Sequence, residues 1–287
     1  MNSEITLPKI SIVIPMYNAS KDIEECLNSI FDSEYKEFEV ILVDDCSIDD
    51  TLQKVSSYSC TIIKNQFNRG PAHSRNQGAD VARAEIILFL DSDILISSKT
   101  LIKIEELFEK NTNVSVLQGR YEDTPYYNNL FSQYKHYIFS FRGLASGNTY
   151  VNFIHTACVA MRKEVFYTVR FNENLRRRED IDFGLRCVEN KFLIYADSEL
   201  TVRHKKKYDL ISFSKYQFSS GKELVLQNLV TKSKNIIQEF NSSNQPLYKK
   251  LWLLRPILPL FILLILICLM IRCEMIIFLN LNIKNSK

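Results

Sequence analysis

Four groups of polar residues carry side chains suited to chemistry, and each follows an apolar run or opens a helical one. Asp91-Ser92-Asp93 comes directly after Ile86-Ile-Leu-Phe-Leu90. Two carboxylates with one residue between them, at the end of a buried strand, suit a hard divalent cation carrying a diphosphate. Mg²⁺ commonly takes one or two protein carboxylates and completes its shell with phosphate oxygens and water. Asp44-Asp45 follows Phe38 to Val43 and leads into Cys46-Ser47-Ile48-Asp49-Asp50-Thr51. A carboxylate there accepts well from a ring N–H or a ribose hydroxyl, while Asp49 or Asp50 serves equally as a helix cap. Pro15-Met16-Tyr17-Asn18 follows Ile10 to Ile14. Tyr17 offers a face for stacking on a base, although the same composition makes an ordinary turn.

The fourth group is Glu179-Asp180-Ile181-Asp182. On a helix, Ile181, Leu185 and Val188 share one face, and Asp180 and Asp182 fall on its opposite edges. Both acids cannot point into one cleft from a regular helix. One is free to act as a base while the other caps or bridges, or all three acids simply stabilise a helix N-terminus.

These groups need elements that hold them at one edge. Over the first 120 residues, strand-like and helix-like patterns alternate. Strands are expected at Ile10–Ile14, Phe38–Val43, Cys60–Ile63, Ile86–Leu90 and Val114–Leu117. Between them lie a helix with Ser20 as N-cap and a stripe of Ile23, Leu27, Ile30 and Phe31, a short helix after Asp50, a helix over Gly70–Ala84, and one marked by Leu101, Ile104, Leu107 and Phe108. This alternation predicts parallel βαβ units, whose ligands bind beyond the carboxyl ends of the strands. Residues 121 to 150 are crowded with tyrosine and phenylalanine, Tyr121, Tyr126, Tyr127 and Tyr134 among them, and form either a wall for an acceptor or packing beneath a loop. Strand character returns over Val151–Met161 and Leu193–Ala196, on either side of a helix over Glu179–Asn190.

Composition narrows the classes further. The chain has 287 residues, with 36 Lys plus Arg against 33 Asp plus Glu, a net charge of +3. No global basic field calls for nucleic acid as a partner. The seven cysteines include no C-x-x-C pair and are odd in number, which argues against a zinc ribbon or disulfide framework and for a reducing compartment. Only seven glycines are present and no G-x-G-x-x-G, against a dinucleotide-binding reading. The polar N-terminus lacks a signal-peptide pattern.

The C-terminal stretch from Leu251 to Ile283 is nearly all apolar, and the sixteen residues Pro256 to Ile271 between Arg255 and Arg272 carry no charge. A full span needs ~20 apolar residues, which Leu251–Leu254 and snorkelling arginines would complete. A membrane anchor over 251–283 is expected, spanning the bilayer or lying on it. Lys232, Lys234, Lys249 and Lys250 precede it and only Lys284 and Lys287 follow, so the large domain is expected to face the cytoplasm.

Taken together the motifs resemble glycosyltransferase family 2, the inverting transferases of GT-A fold. The segments that carry the resemblance are Ser11-Ile-Val-Ile-Pro-Met-Tyr-Asn18, Val43-Asp-Asp-Cys-Ser-Ile-Asp-Asp-Thr51, Asn68-Arg-Gly-Pro-Ala-His-Ser-Arg-Asn-Gln-Gly78 running on to Phe89-Leu-Asp-Ser-Asp93, and Phe171-Asn-Glu173 followed by Glu179-Asp180. Their order and spacing are specific, although no single motif is.

The resemblance implies an α/β fold, a Rossmann-like, mainly parallel sheet flanked by helices, over residues 1–225. A helical connection over 226–250 and the anchor would follow. It implies that Pro15, Tyr17, Asp45 and Arg75 line a nucleotide pocket. Asp91 and Asp93 would hold the nucleotide diphosphate through Mg²⁺ or Mn²⁺, with Asp93 the more direct ligand. Asp180 would be the general base, and Glu179 and Asp182 would meet the donor or acceptor sugar. Of the histidines at 73, 136, 155 and 204, His204 either completes the metal site, as in several family members, or is a surface residue beside Lys205-Lys206-Lys207.

The chain departs from the family at Ser74 and Ala84, neither at an implied contact. The Q-x-x-R-W motif of processive synthases is absent, since the one tryptophan is Trp252 in Leu251-Trp-Leu. The expected activity is therefore transfer of one or a few sugars from a nucleotide sugar, UDP-linked by preference, to a lipid-linked or growing glycan acceptor at a membrane. The alternatives are a polyprenyl-phosphate glycosyl synthase using the same donor site, and a catalytically inactive scaffold that binds a sugar nucleotide.

Overall fold

The computed structural model describes residues 7–141 and 149–216. The chain divides into a unit from Met1 to Lys207 and a second from Tyr208 to Lys287. Of the second, residues 210–216 are helical, begun by Asp209, whose Oδ1 accepts the Ser212 N–H at 2.7 Å. The connection and anchor expected over 226–250 and 251–283 lie outside the described residues. Among the described residues, no helix is long and apolar enough to cross a membrane.

The first unit is built on one mixed sheet. Its N-terminal half is parallel. Strand β1 (Ile10–Met16) lies between β2 (Phe38–Asp44) and β4 (Ile86–Leu90), and β3 (Thr61–Lys64) extends β2. Strands covered on both faces read as continuous apolar runs, which is why β1, apart from Ser11, and β4 are apolar along their length. The side chains still alternate between two cores. Ile12 and Ile14 pack with α1 (Ile23–Phe31) and α4 (Thr100–Lys110) on one face. Val13 packs with α3 (Pro71–Val81), α6 (Lys163–Thr168) and α7 (Glu179–Glu189) on the other. Each fully buried Ile, Leu or Phe contributes ~1.5–3 kcal/mol.

The second half of the sheet departs from the parallel pattern expected of a simple alternation. Beside β4 lies β8 (Cys158–Arg162), antiparallel, and then β6 (Val116–Tyr121), β9 (Ile194–His204) and β5 (Ile94–Leu95), with β7 (Thr149–Val151) also on β9. The strand expected near Val114–Leu117 exists but does not follow β4 in the sheet, because β8 is inserted between them. Local periodicity reports that a segment is a strand, not which neighbour it takes.

The parallel half opens a crevice. The β1–β4 ladder ends at Val13 with Phe89, whereas β1 and β2 stay paired to Met16 and Asp44. Pro15, which has no N–H to offer, falls beyond the last β1–β4 pair. β1 and β4 run parallel, but the order in which strands are added to the sheet reverses between them, from β1-β2-β3 on one side to β4 on the other, and ligands bind outside the carboxyl ends of strands at such a point.

Two local expectations are corrected. Ser20 is not the N-cap of α1: Asp22 occupies that position without a side-chain cap bond. Ser20 instead joins two loops, its N–H donating to Asp49 Oδ2 at 3.2 Å and its carbonyl accepting from Lys54 Nζ at 2.7 Å. The helix expected to reach Ala84 ends at Val81, and the Ala84 N–H donates to Ser11 Oγ instead.

Helix α3 rests directly on the sheet because residue 78 is glycine. A Cβ there would stand 2.4 Å from Val13 Cγ1 and 3.1 Å from Val43 Cγ2. Gly78→Ala is therefore expected to lift α3 from β1 and β2 at an overpacking cost of ~1–3 kcal/mol. A lower midpoint in thermal unfolding of the full chain checks this, and an unchanged or higher midpoint would refute it.

Candidate active site

Four strand or helix ends meet at the crevice. After β1, Tyr17 is 52% exposed, a ring available for stacking. The turn that presents it is joined to the loop after β2. Asn18, at φ 50°, donates its N–H to Ser47 Oγ at 2.9 Å, and its Oδ1 accepts from Ile48 N at 2.9 Å. Ala19 N–H donates to Thr51 Oγ1 at 2.8 Å. A left-handed Asn at a turn is cheap relative to a branched residue.

After β2, the two aspartates take different roles. Asp45 is buried and its carboxylate is saturated. Oδ1 accepts from Asn65 Nδ2 at 2.8 Å and Arg69 N at 2.9 Å, and Oδ2 accepts from Gly70 N at 2.7 Å. Asp45 thus holds the loop that enters α3. Asp44 makes no such closure: Oδ2 accepts from Ser47 N at 3.2 Å, while Oδ1 is buried and accepts no hydrogen bond. Of the pair, the acceptor still open is on Asp44.

Arg75 lies at the centre. It is 3% exposed on α3, and its two terminal nitrogens diverge. Nη1 donates to Glu179 Oε1 at 2.7 Å and Nη2 to Asp91 Oδ1 at 2.8 Å. The guanidinium also lies 5.6 Å from the Phe171 ring centre. One buried cation therefore ties α3, the end of β4 and the start of α7. Burial raises the Glu179 carboxyl above its ordinary value, Arg75 opposing and Asp180 adding to the rise. Beneath this, Asn76 Nδ2 donates to Phe171 O and Glu173 Oε1, Asn76 Oδ1 accepts from Phe171 N, and His73 Nδ1 stands 2.7 Å from Glu173 Oε2.

The aspartates at 91 and 93 diverge as well. Asp93 turns toward β9, because Ile94 pairs with His204 across the antiparallel β5–β9 ladder. Asp93 Oδ2 is 3.4 Å from His204 Nε2 and 3.2 Å from Lys206 Nζ. Burial would raise the Asp93 carboxyl, but His204 and Lys206 hold it well below the usual carboxylate range. Tyr121 stacks on the His204 ring at 4.9 Å and 15°. Part of the aromatic segment therefore braces a site side chain, while Tyr134 is buried and Tyr126 is 38% exposed.

Among the described residues, no group of three or more His, Cys, Asp or Glu side chains gathers to hold a metal. Asp93 and His204 are the two nearest donors of the expected kind, with the Lys206 ammonium on the same Asp93 oxygen. Mg²⁺ and Mn²⁺ accept one or two protein ligands when a diphosphate supplies the rest.

Helix α7 separates its acids as its geometry requires. Asp182 Oδ2 accepts from Arg186 Nε at 2.9 Å and Nη2 at 2.7 Å, a surface pair one turn along. Asp180 instead faces the His155 ring, Oδ2 to Nδ1 at 3.4 Å, with its side chain 20% exposed. The apolar stripe Ile181, Leu185 and Val188 is not the buried face of α7. Leu185 and Val188 are 48% and 42% exposed, and Phe183, Gly184 and Cys187 are buried instead. His155 and Gln118 had no signal in the sequence beyond their residue type, since neither belongs to an acidic pair at a strand end; Asn76 and Glu173 lie within the segments that carry the family resemblance, but their contacts with Phe171 and His73 were not legible there.

Residues 11–170 match the family model described as glycosyl transferase family 2. The poly(ribitol-phosphate) beta-N-acetylglucosaminyltransferase TarS of Staphylococcus aureus is 41% identical over 100 residues, 32% of this chain and 18% of TarS. The crystal structure of S. aureus TarS 1-349 in complex with UDP-GlcNAc superposes with a TM-score of 0.57 at 23% identity, over 76% of this chain and 66% of that one. The Escherichia coli UDP-Glc:alpha-D-GlcNAc-diphosphoundecaprenol beta-1,3-glucosyltransferase WfgD is 35% identical over 117 residues, 39% of this chain and 46% of WfgD. A mannosyltransferase from Pyrobaculum calidifontis, solved with GDP-Man and Mn²⁺, has a TM-score of 0.60 at 17% identity, over 77% of this chain and 63% of that one. The chain thus spans less than half the length of both sequence relatives. The structural likeness extends to the fold, an α/β GT-A arrangement with a mixed sheet.

Arg75→Met removes the one cation between two carboxylates and leaves Glu179 buried without its partner. Breaking a buried pair from one side costs ~3–5 kcal/mol. Thermal unfolding of the full chain is expected to show that loss, and the double variant Arg75→Met with Glu179→Gln to recover part of it. Full stability of the single variant would refute the bridging role.

Proposed function

Because the chain belongs to glycosyl transferase family 2, we propose that this glycosyltransferase moves a sugar from a UDP-sugar to a lipid-linked or growing envelope glycan, with inversion at the anomeric carbon. The observation that supports this best is that buried Arg75 joins Asp91 at the end of β4 to Glu179 at the start of α7, with Asp180 next along α7 against His155 and Asp93 against His204. Tyr17 and Pro15 border the nucleobase side of the donor end, with the aspartate pair after β2 behind them. Arg75 is held charged by Asp91 and Glu179, and it fixes the distance between the donor end and the base end of the crevice.

Asp180 is the general base. Burial would raise its carboxyl, but His155, the Ile181 N–H and Arg75 hold it below its ordinary value. It is therefore ionised near neutrality and able to accept a proton. The acceptor oxygen forms a bond to the anomeric carbon as its O–H bond breaks toward Asp180. The bond from the anomeric carbon to the diphosphate breaks at the same step, and the nucleoside diphosphate leaves with the electron pair. A single in-line displacement inverts the configuration, and holding both reactants in line supplies much of the rate. Asp93 and His204, with Asp91 nearby, would hold Mg²⁺ or Mn²⁺, which neutralises charge developing on the leaving diphosphate. Glu179 borders the sugar site, whereas Asp182, paired with Arg186 on the other edge of α7, stands apart from it.

The acceptor reading draws on WfgD and TarS, whose names specify a diphosphoundecaprenol-linked sugar and poly(ribitol-phosphate). Attachment to a membrane through the apolar stretch 251–283, with residues 1–225 on the cytoplasmic side, completes it.

Two measurements test the proposal. Calorimetric titration of UDP, GDP and dTDP into the full chain, with Mn²⁺ and then with EDTA, is expected to show UDP binding that needs the metal. Asp93→Ala is expected to weaken it about tenfold or more, which is ~1.4 kcal/mol or more. A folded chain that binds none of the three refutes the donor site. Deletion of residues 251–287 is expected to lower transfer on native membranes, and unchanged transfer would remove the anchor from the proposal.

A further inference from the structure

Asp180 is the second residue of α7, and its own helix settles only half of its carboxylate. Oδ1 accepts the Ile181 N–H at 2.8 Å. What faces Oδ2 comes from a distant part of the chain, the His155 ring at 3.4 Å. Catalytic contacts are often long before the reactants bind and tighten in the complex.

The position of His155 is fixed from three directions. Gln118 on β6 is 1% exposed, and its side-chain amide grips the backbone of residue 155 on both sides. Oε1 accepts His155 N–H at 2.6 Å, and Nε2 donates to His155 O at 3.2 Å while also reaching the carbonyls of Gly119 and Cys158. A buried amide must be matched by partners or it costs stability, so Gln118 specifies this one backbone arrangement. The Phe153 ring meets the imidazole edge-on at 5.6 Å and 69°. From the far side, α7 can approach because residue 184 is glycine. A Cβ there would lie 2.8 Å from Ile154 N and 3.0 Å from Phe153 Cα. The same close approach brings Asp180, one turn earlier on α7, up to His155.

We propose that His155 is the positioning residue of the general base, its Nδ1–H donating to Asp180 Oδ2 so that the carboxylate is held ionised and aimed at the acceptor hydroxyl. The inference rests on Asp180 being that base. His155 keeps its own proton throughout, and the proton of the acceptor hydroxyl goes to Asp180. The loop would need only Gln118 and the backbone to be braced, so a bracing role alone does not call for an imidazole. The titratable and charged groups that face Asp180 are His155 from the loop before β8, Arg75 from α3, and Glu179 from its own helix. His155 and Arg75 oppose the rise that burial would cause. Loss of His155 therefore raises the carboxyl, leaves the base protonated over more of the acid range, and moves the acid limb of the rate profile to higher pH.

The test uses the full chain and slow release of the nucleotide to water, so that no acceptor is needed. UDP-GlcNAc, UDP-glucose and GDP-mannose are the probes, and the one turned over fastest by the wild type is used for the variants. His155→Ala removes the donor, whereas His155→Asn places an amide nitrogen close to where Nδ1 stood and cannot titrate. His155→Ala is expected to lower kcat by about tenfold or more, to leave KM for the donor nearly unchanged, and to shift the acid limb upward. His155→Asn is expected to recover most of kcat. Calorimetric binding of the nucleotide diphosphate to each variant reports an intact donor site. A wild-type kcat and pH profile in His155→Ala, or equal impairment of both variants with binding intact, overturns the inference while the transferase reading stands. Failure of the wild type to bind or turn over any probe overturns the transferase reading, and this inference with it.

Discussion

A single buried guanidinium organises this protein. Arg75 reaches Asp91 with one nitrogen and Glu179 with another, and it is 3% exposed while doing so. A planar fork with fixed divergence can bridge two carboxylates on different elements, and an ammonium cannot do so with the same geometry. Taking Arg75 and Glu179 out of water is costly, while the Asp91 side chain keeps 37% of its exposure. The arrangement persists because the groups satisfy one another and because α3, β4 and α7 are each anchored independently in the apolar layer beneath. What it achieves is geometric. The strand end that carries Asp91 and the helix start that carries Asp180 are held at a constant separation across the crevice.

The rest of the first unit supplies the conditions for that bridge. Gly78 lets α3 lie against β1 and β2, which brings Arg75 level with the strand ends. Asp45 closes the loop before α3 with three hydrogen bonds. Gly184 lets α7 lie against the 153–154 backbone. Where side chains vanish, elements approach, and the polar residues flanking those contacts come within reach of each other. The same logic explains the split of Asp91 from Asp93. The first faces the crevice and Arg75, and the second is drawn to β9 by the short β5–β9 ladder.

Charge is distributed along the crevice in a manner suited to displacement chemistry. At one end, the Asp93 carboxyl is held well below its usual range by His204 and Lys206 against the effect of burial. At the other, Asp180 is held ionised beside His155, next to Glu179, whose carboxyl burial raises. Neighbouring carboxyls driven in opposite directions are a recurrent mark of a site where protons move.

The sequence by itself determined the strands of the parallel half, the strand-end location of the aspartates after β2 and β4, the helical start at Glu179, and the family. All of these are local: apolar runs bounded by polar residues, and motifs in fixed order. It also determined that Asp180 and Asp182 diverge, since 3.6 residues per turn permits nothing else. The tertiary structure alone decided the insertion of β8 between β4 and β6, the buried face of α7, and the saturation of Asp45 while Asp44 keeps an open oxygen. It alone decided that His155 meets Asp180. Residues 155 and 180 are joined by no periodicity. Their contact depends on a glutamine on β6 and a glycine on α7, and pairings between distant segments are set by packing, which a one-dimensional pattern does not encode.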